Sequence, residues 1–207
     1  MERDEIPSLQ RALEMNALNV KMRERLAFLL SREQRSEEAL ELLEEAVRLE
    51  PYRSSAMLEL ARLYEGRRTY VEAERWLLRA RSVDRLFGPV WALSNYYLRR
   101  GDMPKFWEYA RPALSVSSDG GRALLALSFR AAPDVERLLR ELTPTQDQLR
   151  TLLDLLITQG SLVDAEAVVG RLQVDPKRDQ SLLLRLCEAE IEGKRVTEAA
   201  AIWRKMN

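Results

Sequence analysis

The chain has no histidine. The commonest general base and imidazole metal ligand is therefore missing, which removes Ser-His and Cys-His nucleophile pairs and most zinc sites. One cysteine, Cys187, cannot close an internal disulfide, so the redox compartment stays open with a lean toward a reducing one. No apolar run approaches the roughly 18 to 20 residues of a bilayer span, and the opening "MERDEIPSLQRALEMN" lacks the basic flank and apolar centre of a secretory signal. Charge of one sign is lacking as well. With 33 basic against 33 acidic residues, the accumulated Lys and Arg that draw nucleic acid or anionic membranes are balanced, which favours a protein partner.

What is present is apolar and periodic. A 46% hydrophobic content excludes a disordered chain, and Gly and Pro punctuate the apolar segments instead of forming linkers. The segment "RLAFLLSREQRSEEALELLEEAVRLEP" (25–51) aligns without a gap on "ELARLYEGRRTYVEAERWLLRARSVD" (59–84), a period of about 34 residues. Leu26, Ala27 and Leu30 match Leu60, Ala61 and Tyr64; Ala39, Leu43 and Ala46 match Ala73, Leu77 and Ala80. Each half has apolar and small residues three and four apart, so each reads as a helix.

These residues resemble the tetratricopeptide repeat family, whose pattern is a helix with Leu, a small residue and Tyr, then a helix with two Ala and an aromatic, then Pro. The alanines Ala39, Ala46, Ala73 and Ala80 let one helix lie close on its partner, where a larger side chain would overpack the contact at about 1 to 3 kcal/mol. A third unit, "VWALSNYYLRRGDMPKFWEYARPAL", places Leu93, Ser94 and Tyr97 in the first helix and Ala113 in the second. Gly101 ends its first helix, Asp102 can cap the next, Pro104 sits in a first turn, and Phe106 replaces an expected Ala. Beyond Ser115 the pattern weakens. A short pair turns near Pro133, the period returns with Leu149, Leu152, Leu153, Leu156, Gly160, Ala165 and Val169, and a final unit carries Leu183, Leu186, Cys187, Ala199 and Trp203.

The expected fold is all-α, a right-handed superhelical solenoid of antiparallel helix pairs with about five repeats and a partial one before them. The expected organisation is a second helix alone over 1–19, three repeats over 20–118 and degenerate helical pairs over 119–207. Capping-box spacing at Thr69/Glu72 and Thr143/Gln146, with Pro144 as a first helical residue, and Ser36 and Ser161 before acidic turns, mark expected helix starts. In this register the chain begins in mid-repeat and has no polar capping helix after Trp203, so it reads as a piece of a longer chain. The preference for Arg over Lys points only to a GC-rich genome. The expected location is cytoplasmic, the alternative a periplasmic portion of a membrane-anchored chain.

Chemistry-bearing candidates read as structural. Cys187 holds the small-residue position of a first helix, Glu37/Glu38 and Glu44/Glu45 lie on charged helix faces, and "SSDGG" (117–121) lacks the Lys-Ser/Thr and preceding strand of a phosphate loop. From Arg62 to Arg111, 11 basic residues against 6 acidic give +5, with Trp76, Trp91 and Trp107 interleaved. Arg and aromatics serve RNA elsewhere, but here the tryptophans fall on different faces and read as packing. No catalytic residue, metal ligand or cofactor is expected.

The resemblance sends positions two, five, nine, twelve and thirteen of each first helix to the inside of the superhelix. These are Lys21, Glu24, Phe28 and Arg32; Leu58, Arg62 and Glu65; Trp91, Asn95, Leu98 and Arg99; Arg150 and Asp154; Leu184 and Glu188. Phe28, Leu58, Trp91 and Leu98, with Arg32, Arg62, Asn95 and Arg99, describe a groove for a peptide or helix, unless they contact neighbouring helices instead. The Lys and Asn with which some members grip a terminal carboxylate are replaced by Glu24 and Phe28, and only Asn95 matches. The expected function is a non-catalytic interaction scaffold, either a monomer or weakly self-associating through its repeat ends. The alternative is a structural spacer or assembly segment excised from a larger bacterial protein, one associated with the cell envelope.

Overall fold

Helical periodicity in the sequence becomes helix throughout. A computed structural model describes residues 2–206, and among them lie thirteen α-helices and no strand. The fold is an all-α helical repeat. The helices group into two compact units, one ending at Asp102 and the other starting at Met103.

The first unit holds α1 (Glu2–Met15), α2 (Val20–Arg32), α3 (Ser36–Leu49), α4 (Ser54–Gly66), α5 (Tyr70–Val83) and α6 (Phe87–Arg100). Leu26, Leu30, Leu43, Met57 and Leu60 form its core. Ala39, Ala46, Ala73 and Ala80 are fully buried, as the close-contact reading expects, because a methyl group is all that fits where two helix backbones approach.

The second unit holds α7 (Met103–Ser115), α8 (Arg122–Ala131), α9 (Val135–Leu142), α10 (Gln146–Gln159), α11 (Leu162–Arg171), α12 (Gln180–Glu192) and α13 (Val196–Met206). Phe106, at the expected Ala position, is fully buried and meets Trp107 edge-on at 4.7 Å. Leu114, Leu124, Leu125, Leu138 and Leu152 fill the remaining core.

The repeat is also written in the backbone. Gln34, Arg68, Gly101, Gly160 and Lys194, spaced at about one repeat or two, each end a first helix in left-handed geometry, with φ between 61° and 72°. At each turn this residue and the next donate to carbonyls three and five positions back, as Gln34 N does to Ser31 O and Arg35 N to Leu30 O. The pairing satisfies two carbonyls that the helix end would leave open.

Two expected caps are corrected. Thr69 precedes α5, but its hydroxyl donates to Tyr64 O and makes no cap bond. The box expected at Thr143/Gln146 is formed two residues later, by Thr145 and Gln148. Thr143 instead ends α9 in left-handed geometry, and Gln148 Nε2 also donates to Leu114 O at 2.9 Å, so tertiary packing chooses between two Thr-x-x-Gln frames.

Candidate functional site

Within the first unit the first helices α2, α4 and α6 lie side by side in order, so residues one repeat apart in sequence face a common space. Between α4 and α6 this space is a cleft of about 820 Å³. Leu58, Ala61, Leu77, Trp91 and Ala92 give it an apolar lining; Glu59, Arg62, Glu65, Asn95 and Arg99 give it polar groups. Trp91 is half-buried and stacks on Phe87 at 5.5 Å, one turn earlier, which holds the indole in place.

The polar groups are preorganised by one another. Arg99 donates through Nε and Nη2 to the two Glu65 oxygens at 2.7 Å each, and this bond raises the guanidinium's proton affinity further. Arg62 donates to Glu59 at 2.8 Å and to Ser31 Oγ of α2 at 3.0 Å. Asn95 Nδ2 donates to Trp91 O at 2.8 Å within its own helix. Two cations and two anions thus line the cleft, whose net charge is zero. What the cleft presents is therefore shape, apolar surface and oriented hydrogen-bonding groups, without net charge.

Of the groove residues expected from sequence, Leu58, Arg62, Trp91, Asn95 and Arg99 line this cleft together. Phe28 lies outside it on α2, 39% exposed, with the Arg25 and Arg32 guanidiniums 5.8 and 6.0 Å from its ring. Leu98 is half-buried on α6 and is not among the lining residues. Glu59, Leu77 and Ala92 line the cleft without having been singled out; Glu59 was legible as the i, i+3 partner of Arg62.

Elsewhere on the first helices, charges bridge neighbours. Glu24 is clasped by Arg53, with contacts down to 2.7 Å, and by Ser55 at 2.5 Å. Asp154 accepts from Arg122 of α8 and Arg185 of α12 at 2.6 Å each, and these two bonds hold its carboxyl below the usual range. Arg150 is spent on Asp179, which is buried. Leu184 is half-buried and Glu188 exposed on α12.

The chemistry-bearing candidates take up structural places. Burial pushes the Cys187 thiol up, away from the reactive thiolate, with its sulfur 3.6 Å from Ala199 O. Glu37 pairs with Arg67, Glu38 with Arg35 and Glu45 with Arg23, while Glu44 accepts from Tyr64. In "SSDGG", Asp119 accepts from Gly121 N, and Gly121 starts α8 at φ 76°. A Cβ there would fall 2.1 Å from Leu114 Cδ1, which would have to move, and the left-handed backbone would strain any side chain, so the position favours glycine. Among the described residues no group of three or more acids and cysteine is placed to hold a metal ion, and no helix is long and apolar enough to cross a membrane.

The family model for the tetratricopeptide repeat matches residues 30–94, which contain most of the cleft. These residues are tetratricopeptide repeats. The helical repeat as a whole is similar to a tetratricopeptide repeat protein from Parabacteroides merdae, at 15% identity over 97% of this chain and 84% of that one, with a TM-score of 0.52. It is also similar to a monomeric mutant of IFIT1 with Gppp-AAAA, at 18% identity over 99% of this chain and 46% of that one, with a TM-score of 0.51. YrrB, described as a TPR protein with an unusual peptide-binding site, matches at 16% identity over 96% and 90%, with a TM-score of 0.47. None of the curated proteins compared matches this chain. Tetratricopeptide repeats are protein-interaction scaffolds and are generally non-catalytic.

Proposed function

We propose that the chain binds a segment of a protein partner in the cleft between α4 and α6. The observation that carries this reading is the half-buried Trp91 beside Leu58, an apolar floor bounded by Arg62, Asn95 and Arg99. A partly exposed aromatic in an apolar cleft with oriented polar groups around it is the usual anatomy of a binding anchor. The occupant is a peptide or short helix that inserts an apolar side chain against Trp91 and Leu58 and places backbone or side-chain acceptors near the two arginines. Phe28 and Arg32 offer a secondary contact on α2.

A spacer or assembly role is the second reading. It is favoured by the ion pairs just described, since Glu24, Glu65, Arg99 and Asp154 all spend their charge on neighbouring helices. One experiment separates the two. Pull-down from the source organism with mass spectrometry would compare the wild type with Arg62→Glu/Trp91→Ala/Asn95→Ala. A partner held by wild type and lost by the variant supports the binding role; equal capture, or none, supports the spacer.

A further inference from the structure

A second cleft, of about 590 Å³, lies between α1 and α3 over α2. Each wall is one face of a helix, because its residues recur three and four apart: Gln10, Leu13 and Glu14 on α1, and Glu38, Glu41, Leu42 and Glu45 on α3. Leu26 and Leu30 of α2, both buried, close the bottom. Leu13 and Leu42 are only partly buried, so the cleft has an apolar floor open to solvent.

Its rim carries charge of a single sign. Four glutamates and no Lys or Arg line it, in a chain whose net charge is zero. Glu38 is bound by Arg35 at 2.6 Å and Glu45 by Arg23 at 3.1 Å, but Glu14 and Glu41 are exposed and have no ion-pair partner among the described residues. Carboxylates left unpaired on both walls of an apolar trough set up a field that attracts cations and repels acidic segments.

We propose that this cleft docks a cationic amphipathic helix of a partner protein. Two helices side by side form a groove in which the ridges of a third can seat. Glu38 to Glu45 spans about 10 Å of α3 at 1.5 Å per residue, so the contact is about two turns long. Apolar side chains one turn apart pack on Leu13 and Leu42, and Lys or Arg on the two flanks reach Glu14 and Glu41. The surface is separate from the cleft at Trp91 and does not depend on it.

The test is fluorescence anisotropy with a labelled synthetic helix of roughly 14 residues, about four turns, carrying Leu one turn apart with Lys flanks. An isosteric probe with Glu in place of Lys serves as the comparison. The intact chain is expected to bind the Lys probe, more weakly as salt rises, and the Glu probe at least about tenfold more weakly. Glu14→Lys/Glu41→Lys is expected to weaken binding of the Lys probe about tenfold, while Glu188→Lys/Glu192→Lys, an equal charge change on α12, leaves it intact. Leu42→Ser, which keeps every charge, is expected to weaken it as well. Equal losses in both charge pairs, or equal binding of the two probes, would overturn the proposal. It would also be overturned if the chain self-associates with concentration, Glu14→Lys/Glu41→Lys abolishes this, and a peptide of residues 196–206 competes; a second copy would then be the occupant.

Discussion

Arg99 and Glu65 are 34 residues apart and joined by two parallel hydrogen bonds of 2.7 Å, linking the first helices of adjacent repeats at the edge of the Trp91 cleft. The Arg99 side chain is 55% exposed, so solvent screens the pair and its stability contribution is modest. Glu65→Gln is expected to lower unfolding stability by no more than about 1 kcal/mol in urea titrations. It also leaves the cleft with one positive charge. Isothermal titration with a peptide carrying a carboxylate beside its apolar anchor should show tighter binding than wild type; unchanged affinity would place the occupant away from Arg99.

Ala73 is fully buried on α5. Ala73→Arg puts a long cation where only a methyl group fits and is expected to cost about 3 kcal/mol or more, through overpacking and charge burial. A urea midpoint equal to wild type would mean that the helix seam is not where the alanines lie.

Gln34 and Arg68 end their helices at φ 63° and 61°, where the matching turns of two other repeats have Gly101 and Gly160. A side chain in this region costs roughly 1 kcal/mol that glycine avoids, offset in part by glycine's greater freedom when unfolded. Gln34→Gly and Arg68→Gly should each raise stability by about 0.5 kcal/mol. A fall in thermal midpoint for both would show that their side chains contribute more than the strain costs.

Glu190 is fully buried on α12 with Arg195 as its one ion-pair partner among the described residues, and Arg195 is shared with Glu166 and Glu198. Burial pushes its carboxyl above the ordinary value of 4.5, an effect the nearby acids reinforce and Arg195 opposes. The folded state therefore holds this proton more tightly than the unfolded state. The contribution of Glu190 to stability is greatest below pH 4.5 and is lost as pH rises through the raised folded value. Glu190→Gln should flatten that part of the curve and improve relative stability at neutral pH. Parallel wild-type and variant curves in urea unfolding across pH would contradict this.

Asp179 shows the opposite sign. It is 1% exposed, accepts from Arg150 at 2.6 and 3.1 Å and from Asp175 N at 2.8 Å, and is held below 3.8 chiefly by the arginine. Its contribution is present above pH 3.8 and disappears as acid protonates the folded carboxylate. Asp179→Asn, which leaves Arg150 without its buried anion, is expected to cost about 3 kcal/mol at neutral pH and to remove that part of the acid sensitivity. A loss below about 0.5 kcal/mol would mean that solvent or Asp147 replaces the partner.

The sequence made much of the fold legible because the repeat is local. Leu26, Ala39 and Ala46 align with Leu60, Ala73 and Ala80, and helical periodicity with small residues at fixed places is enough to specify helices and their close seams. The same register picked out Leu58, Arg62, Trp91, Asn95 and Arg99, which the structure brings around one cleft. It could not separate them from Phe28 and Leu98, because membership of a cleft depends on the angle and depth at which neighbouring helices pack. Nor could it choose Thr145 over Thr143 as a cap, since both have Gln three residues later and Gln148 is anchored by Leu114, 34 residues earlier. By itself the sequence determined an all-helical repeat and the positions of its alanine seams, because helix formation is local and the small residues recur at a fixed place in each repeat. Only the tertiary structure decided that Glu65 belongs to Arg99, that Asp154 joins two arginines, and that Glu14 and Glu41 face an open trough. Those relations depend on helix packing across about one repeat or more of chain, and residue order alone does not encode which side chains then converge.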